Sequence, residues 1–306
     1  MQLAFHTLDV FTDKRFAGNP LAVVHEADGL DGARMQTIAR EFNLSETVFV
    51  LKPSNPIASA KIRIFTPTQE LPFAGHPTVG TAVLLAELRM GAGAEVADQD
   101  AIVILEETVG MVRVGVRLRP GQATFAEFDA PKLPEEIGAA PDVQRLSAAL
   151  GLSPSEIGFA NHKPTQYSAG VGVTFVPVSS LAAIARADVH AAHWGAATTG
   201  QHPQGMLLYC RETRHTGNAF HARFFAPAMG MHEDPATGAA AAAFAGPVHQ
   251  FDTLPDGHHK RIIEQGFEMG RPSQIALSLD VTRGRLTTVR IGGAAVRVSE
   301  GRITVG

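Results

Sequence analysis

One cysteine, Cys210, is all the chain contains, so no disulfide can form within it and a reducing compartment suits it. It sits in the apolar run Met206-Leu207-Leu208-Tyr209-Cys210, where a buried structural thiol is expected. Basic charge is short as well. The 26 Lys and Arg against 30 Asp and Glu leave a net charge of -4, without the basic face that nucleic acid requires. No apolar run can span a bilayer, and the greasiest, Ala239 to Gly246, is far too short. The start, Met1 to Val10, alternates like a strand and lacks the basic head and apolar core of a signal peptide. A cytoplasmic protein without a membrane partner is therefore expected. GxGxxG, Walker and GxSxG patterns are absent, so neither a dinucleotide cofactor nor a serine nucleophile is indicated. His190-x-x-His193 and His258-His259 lack further ligands at metal spacing and read as surface histidines.

What is plentiful is turn chemistry: 30 glycines and 19 prolines suit a sheet-rich protein. Residues 3–10, 20–25, 47–51 and 60–65 read as strands. Asp31 can cap a helix with Met35, Ile38, Ala39 and Phe42 on its apolar face, and Asn43 can end it. Helices are also expected over 77–90 and over Val143 to Leu150. Strands follow at Ala101 to Leu105, Met111 to Leu118, Thr174 to Val178 and Met206 to Tyr209. A final group of short strands is expected from Gln274 to Val305. Between about 128 and 143 the text turns proline- and acid-rich, which marks a crossing between a first half, 1–125, and a second, 130–306. The last strand, 301–305, is expected to return to the first half.

Two stretches repeat. Arg63-Ile64-Phe65-Thr66-Pro67 matches Arg223-Phe224-Phe225-Ala226-Pro227. Downstream, His76-Pro77-Thr78-Val79-Gly80-Thr81-Ala82 matches Asp234-Pro235-Ala236-Thr237-Gly238-Ala239-Ala240. The shared pattern is Arg-x-Phe-x-Pro, a loop, then x-Pro-x-x-Gly-x-Ala opening an apolar helix. Duplication accounts for it. Each copy places Pro at the first helical position with a cap residue, His76 or Asp234, in front. Small residues at Gly75, Gly80, Gly238, Ala239 and Ala240 leave the first-turn amides open, and two such helix starts suit a carboxylate. Glu46 is read in the connection between a helix end and a strand, where a carboxylate beside a partly dry pocket can shuttle a proton, although spacing alone favours a surface Glu or one bonded to neighbouring backbone.

Asn43-Leu44-Ser45-Glu46, Phe73-Ala74-Gly75-His76-Pro77 and Glu233-Asp234-Pro235-Ala236-Thr237-Gly238 resemble motifs of the PhzF phenazine-biosynthesis family. So do Gly18-Asn19-Pro20-Leu21-Ala22-Val23 and Gln265-Gly266-x-x-x-Gly270-Arg271-Pro272-Ser273, so that the resemblance covers nearly the whole chain in order. It implies an α+β fold like that of diaminopimelate epimerase: two pseudo-symmetric halves, each a curved mixed sheet or barrel around a central helix, with the site in the cleft between. It also implies a homodimer and an isomerase without metal or organic cofactor. Such an enzyme moves a proton on a small cyclic amino or hydroxy carboxylate, in the best-known case trans-2,3-dihydro-3-hydroxyanthranilate. By the same resemblance Glu46 is the general acid/base, and Ser45, Gly75, His76, Asp234, Gly238 and Ala239 bind substrate. Ala239 stands where the phenazine isomerase pattern has Ser, and losing a hydroxyl from a carboxylate pocket costs about 1–3 kcal/mol, which leaves the natural substrate open. A two-base epimerase would need a thiol from each half, and the chain has only Cys210. A catalytically silent binding protein is the remaining alternative, against which Glu46, His76 and Asp234 argue.

Overall fold

The computed structural model describes residues 1–93, 96–198 and 203–305, with the backbone alone of 203 and 204. The chain forms two compact units, Met1–Asp129 with Gly292–Gly306, and Ala130–Ile291. The first contains β1 (Gln2–Val10), β2 (Asn19–Val24), α1 (Gly32–Phe42), β3 (Glu46–Leu51), β4 (Ala60–Phe65), β5 (Glu70–Leu71) and α2 (Gly75–Met90). β6 (Gln99–Glu107), β7 (Gly110–Leu118) and β8 (Thr124–Asp129) follow. The second contains β9 (Glu135–Gly138), α3 (Val143–Leu150), β10 (Thr165–Ser168), β11 (Gly172–Pro177), α4 (Leu181–Arg186) and α5 (Ala191–Ala197). It continues with β12 (Pro203–Cys210), β13 (Phe220–Ala226), β14 (Met231–Asp234), α6 (Gly238–Asp252), β15 (Gly257–Gln265) and β16 (Ser273–Thr282). Along β17 (Arg285–Thr304) the chain passes back into the first unit at Gly292. The ending expected as several short strands is thus two long ones, joined by the turn Arg283-Gly284. Among the described residues no helix is long and apolar enough to cross a membrane.

The first unit is a closed mixed barrel. β2 and β3 run parallel, as do β4 and β6, and the pairs β1–β2, β3–β4, β6–β7 and β7–β8 are antiparallel. β17 pairs with both β8 and β1, which closes the ring at eight strands. α2 fills it. From Gly75 to Leu84 every residue of this helix is buried, so it has no solvent face and must be surrounded. Gly80 lets it come close, since a Cβ there would stand 2.6 Å from Leu21 Cδ2 and 2.7 Å from Val10 Cγ2. α1 lies outside. Asp31 caps it by accepting from the Arg34 amide at 2.8 Å, and Asn43 ends it in the left-handed region at φ 51°, both as the sequence indicates.

The second unit repeats this plan. β11 and β12 are parallel, as are β13 and β15, and β10–β11, β12–β13 and β15–β16 are antiparallel. α6 takes the place of α2. Its Phe244 ring meets Phe175, Phe220 and Tyr209 with centroids 5.5, 4.9 and 4.6 Å away. Cys210 is buried here, and burial pushes its thiol up to about 12, which makes it unreactive. Duplication reaches further than the sequence pattern. Arg63 clasps Glu70 across β4 and β5, and Arg223 clasps Glu233 across β13 and β14. Lys61 faces Glu106 in the β4–β6 register as His221 faces Glu264 in the β13–β15 register.

Candidate active site

Glu46 is the first residue of β3 and only 7% exposed, so it belongs to the sheet and not to the connection where the sequence reading placed it. Asn43 in its left-handed turn reverses the chain out of α1, and Ser45 follows half-buried. The parallel β2–β3 register sets Glu46 against Leu21, with Pro20 one residue earlier. Opposite stands His76, the second residue of α2, 4% exposed. Its Nε2 lies 3.1 Å from Glu46 Oε2.

That contact is not a charge pair. Burial drives the His76 pKa down to about 3, only partly opposed by a hydrogen bond to the Pro20 backbone. Proline offers only a carbonyl, so the imidazole must be the donor there. The nitrogen engaged is Nδ1, because Nε2 faces Glu46. Nε2 therefore turns a lone pair toward the carboxyl oxygen, and as placed the two buried atoms are close without meeting hydrogen-bond geometry.

The other sequence candidates fall in the second unit. Asp234 ends β14, buried, and its Oδ2 accepts from Thr237 Oγ1 at 2.5 Å. It does not cap α6. Thr237 is the N-cap residue, and it makes no side-chain capping bond. The loop between is braced by Gln265, which is fully buried. Its Nε2 donates to the Asp234 carbonyl at 2.8 Å, and its Oε1 accepts from the Thr237 amide at 3.2 Å. Gly266, at φ 78°, lets the chain pass under this loop, because a Cβ there would meet the Pro235 carbonyl at 2.6 Å. Gly238 and Ala239 are the first two residues of α6.

Both helix starts depart from the sequence reading in the same way. α2 begins at Gly75, so Pro77 is its third residue, and Pro235 lies ahead of α6 altogether. Matched by helix start, Gly75 corresponds to Gly238 and His76 to Ala239. Asp234, which pairs with Phe224, occupies the place of Leu71, which pairs with Ile64. His76 and Asp234 are therefore not equivalent. Neither N-cap residue, Ala74 or Thr237, spends its side chain on the helix. Helix geometry leaves the Gly75 and His76 amides, and those of Gly238 and Ala239, without intrahelical acceptors. Sequence reasoning missed Pro20 and Gln265 as supports. Both stand inside quoted motifs, which was the available signal.

Comparison with known proteins agrees with this architecture. The family model for phenazine biosynthesis-like proteins, PhzC-PhzF, matches residues 8–301. A Mesorhizobium japonicum protein named as an uncharacterized isomerase is 51% identical over 300 residues, 97% of each chain. The trans-2,3-dihydro-3-hydroxyanthranilate isomerase of Pseudomonas chlororaphis is 35% identical over 299 residues, 97% of this chain and 98% of its own. Among solved structures, a PhzF-family phenazine biosynthesis protein from Bacillus anthracis superposes with a TM-score of 0.85 at 25% identity, and both chains are fully covered. The protein is an isomerase with the fold of that group. It belongs to the PhzC-PhzF family of phenazine biosynthesis-like proteins.

Proposed function

We propose that this isomerase moves a proton between two carbons of a small cyclic amino or hydroxy carboxylate, with Glu46 as its acid/base group. The observation that carries the reading is the buried 3.1 Å contact between Glu46 Oε2 and the neutral His76 Nε2. In the scheme, ionised Glu46 takes a proton from one substrate carbon. The resulting acid is held beside Nε2 while the substrate redistributes its electrons; its proton exchanges with solvent during that interval, and Glu46 then delivers a proton to a second carbon. His76 stays neutral throughout. The Gly75, His76, Gly238 and Ala239 amides and Asp234 are assigned to substrate binding, with Ser45 beside the base.

The relatives named for trans-2,3-dihydro-3-hydroxyanthranilate make it the first candidate substrate. Ala239 favours a relative of that compound that makes no demand for a hydroxyl at the second position of α6. Incubation of candidates in deuterated water, read by mass spectrometry, is expected to show label entering the product carbon. A bound ligand that exchanges nothing would turn the reading into a silent binding protein. The homodimer implied by the resemblance is part of the same proposal, and light scattering that gives a monomer mass at micromolar concentration would end it.

A further inference from the structure

Glu107, the last residue of β6, is 6% exposed, and the mechanism above makes no use of it. Its Oε1 lies 2.8 Å from Thr78 Oγ1, which is also 2.8 Å from the Ala74 carbonyl oxygen. One hydroxyl carries one proton, so it cannot give both of these short contacts a full-strength bond at once. The carbonyl can only accept. Both contacts reach full strength together when Thr78 donates to Ala74 and a protonated Glu107 carboxyl donates to Thr78, whereas an ionised Glu107 must compete with Ala74 for the one hydroxyl proton. Its other oxygen, Oε2, is buried without a hydrogen-bond partner among the described residues, a setting hostile to a carboxylate charge. Burial accordingly pushes the Glu107 pKa up to about 8, against the pull of the Thr78 hydroxyl, which lowers it.

Among the described residues, no cation is recorded as offsetting this. Glu106, next on the strand, turns to Lys61 and Ser54. On α2, His76 faces Glu46, and Glu87 engages Thr124 and Arg297. Arg89 lies in the last turn of α2, and Arg113 and Arg117 of β7 are exposed.

We propose that Glu107 is a positioning residue that works as a neutral acid, fixing through Thr78 the first turn of α2 and with it the His76 imidazole. This rests on the reading of the α2 start as part of the active site. When Glu107 ionises, its proton leaves the Thr78 contact and the Thr78 hydroxyl is drawn from Ala74 toward the new charge, which loosens the turn that carries His76.

Two readouts test it without a substrate. The first is thermal stability from pH 5 to 9 for the wild type and Glu107→Gln, whose amide donates to Thr78 but does not titrate. The folded pKa stands above the unfolded carboxylate value, about 4.3, so the stabilisation is complete below that value. Between the two values only the folded state keeps the proton, so stability falls as pH rises, and the loss is complete above about 8. The wild type should lose melting temperature across this window relative to Glu107→Gln. The second readout is the ring nitrogen NMR shift of His76, assigned with His76→Gln. It should move with a midpoint near pH 8 in the wild type and stay still in Glu107→Gln. Parallel melting curves would overturn the neutral acid, and a motionless His76 signal would overturn the positioning role. Should Glu107→Gln fail to fold, the wild-type His76 titration decides alone. Failure of the deuterium exchange assay would remove the isomerase mechanism and leave both of these readouts in force.

Discussion

Glu46→Gln is expected to lower turnover on an active substrate by about 100- to 10,000-fold, the usual contribution of an acid/base group. The amide keeps the size of the side chain and can still donate to His76 Nε2, so the site stays filled and closed. What disappears is the oxygen that accepts and returns a proton, a loss felt in kcat with little change in KM. His76→Ala and Asp234→Ala should differ, weakening binding as well as turnover, because the proposal puts both in contact with substrate. His76→Ala also removes the lone pair that holds the acid form of Glu46. Steady-state kinetics on the three variants checks the contrast. Near-normal turnover in Glu46→Gln would make Glu46 a structural residue and sink the mechanism.

The largest stability effect is expected at the Arg of the second repeat. Arg223 is 7% exposed and holds both oxygens of Glu233 at 2.8 Å through Nε and Nη2. Its Nη1 donates to the carbonyls of Ile184, at 3.1 Å, and Ala187, at 2.6 Å, which close the end of α4. The guanidinium carbon also lies 4.7 Å from the centre of the Phe225 ring. Arg223→Ala leaves a buried carboxylate without its cation and strands the α4 carbonyls, which should cost about 3–5 kcal/mol. The matching Arg63–Glu70 pair is more open, with the two side chains 29% and 36% exposed. Arg63→Ala should therefore cost only about 0–1 kcal/mol. Denaturant unfolding of the two variants decides the matter, and equal costs would refute the account. Arg223→Lys should recover only part of the loss, since an ammonium cannot reach Glu233 and the two carbonyls as a planar fork does.

The sequence is most legible where the signal is local. Asp31 and Asn43 announce the ends of α1 because a cap acts within three or four residues of itself. The helix starts were misplaced for an equally physical reason. Proline is tolerated at any of the first three helical positions, whose amides have no intrahelical acceptor, so Pro77 could not say whether it stood first or third. The repeat aligned on proline places Asp234 opposite His76, whereas the strand pairings match it to Leu71. The partners of Arg63 and Arg223 were invisible because Glu70 and Glu233 come into reach through hairpin register. Glu46 and His76 were each singled out, but their contact was not foreseeable from either motif. It depends on the β2–β3 register and on the close approach that Gly80 allows. Glu107 escaped notice altogether, because an acid at the end of an alternating strand carries no mark that its side chain faces a helix.

The closure of the first barrel bears on how the chain is made. Gln2 pairs with Thr304 and Val10 with Ala295, so β1 finds its second neighbour in a segment that leaves the ribosome after all of Ala130–Ile291. Until then β1 and β8 each show a bare row of backbone donors and acceptors, the kind of edge on which nascent chains stick to one another. The second unit has no such wait, since its residues are contiguous. Order of synthesis therefore makes the first-made unit the last to be finished, and the interval before its ring closes is when a chaperone would matter most.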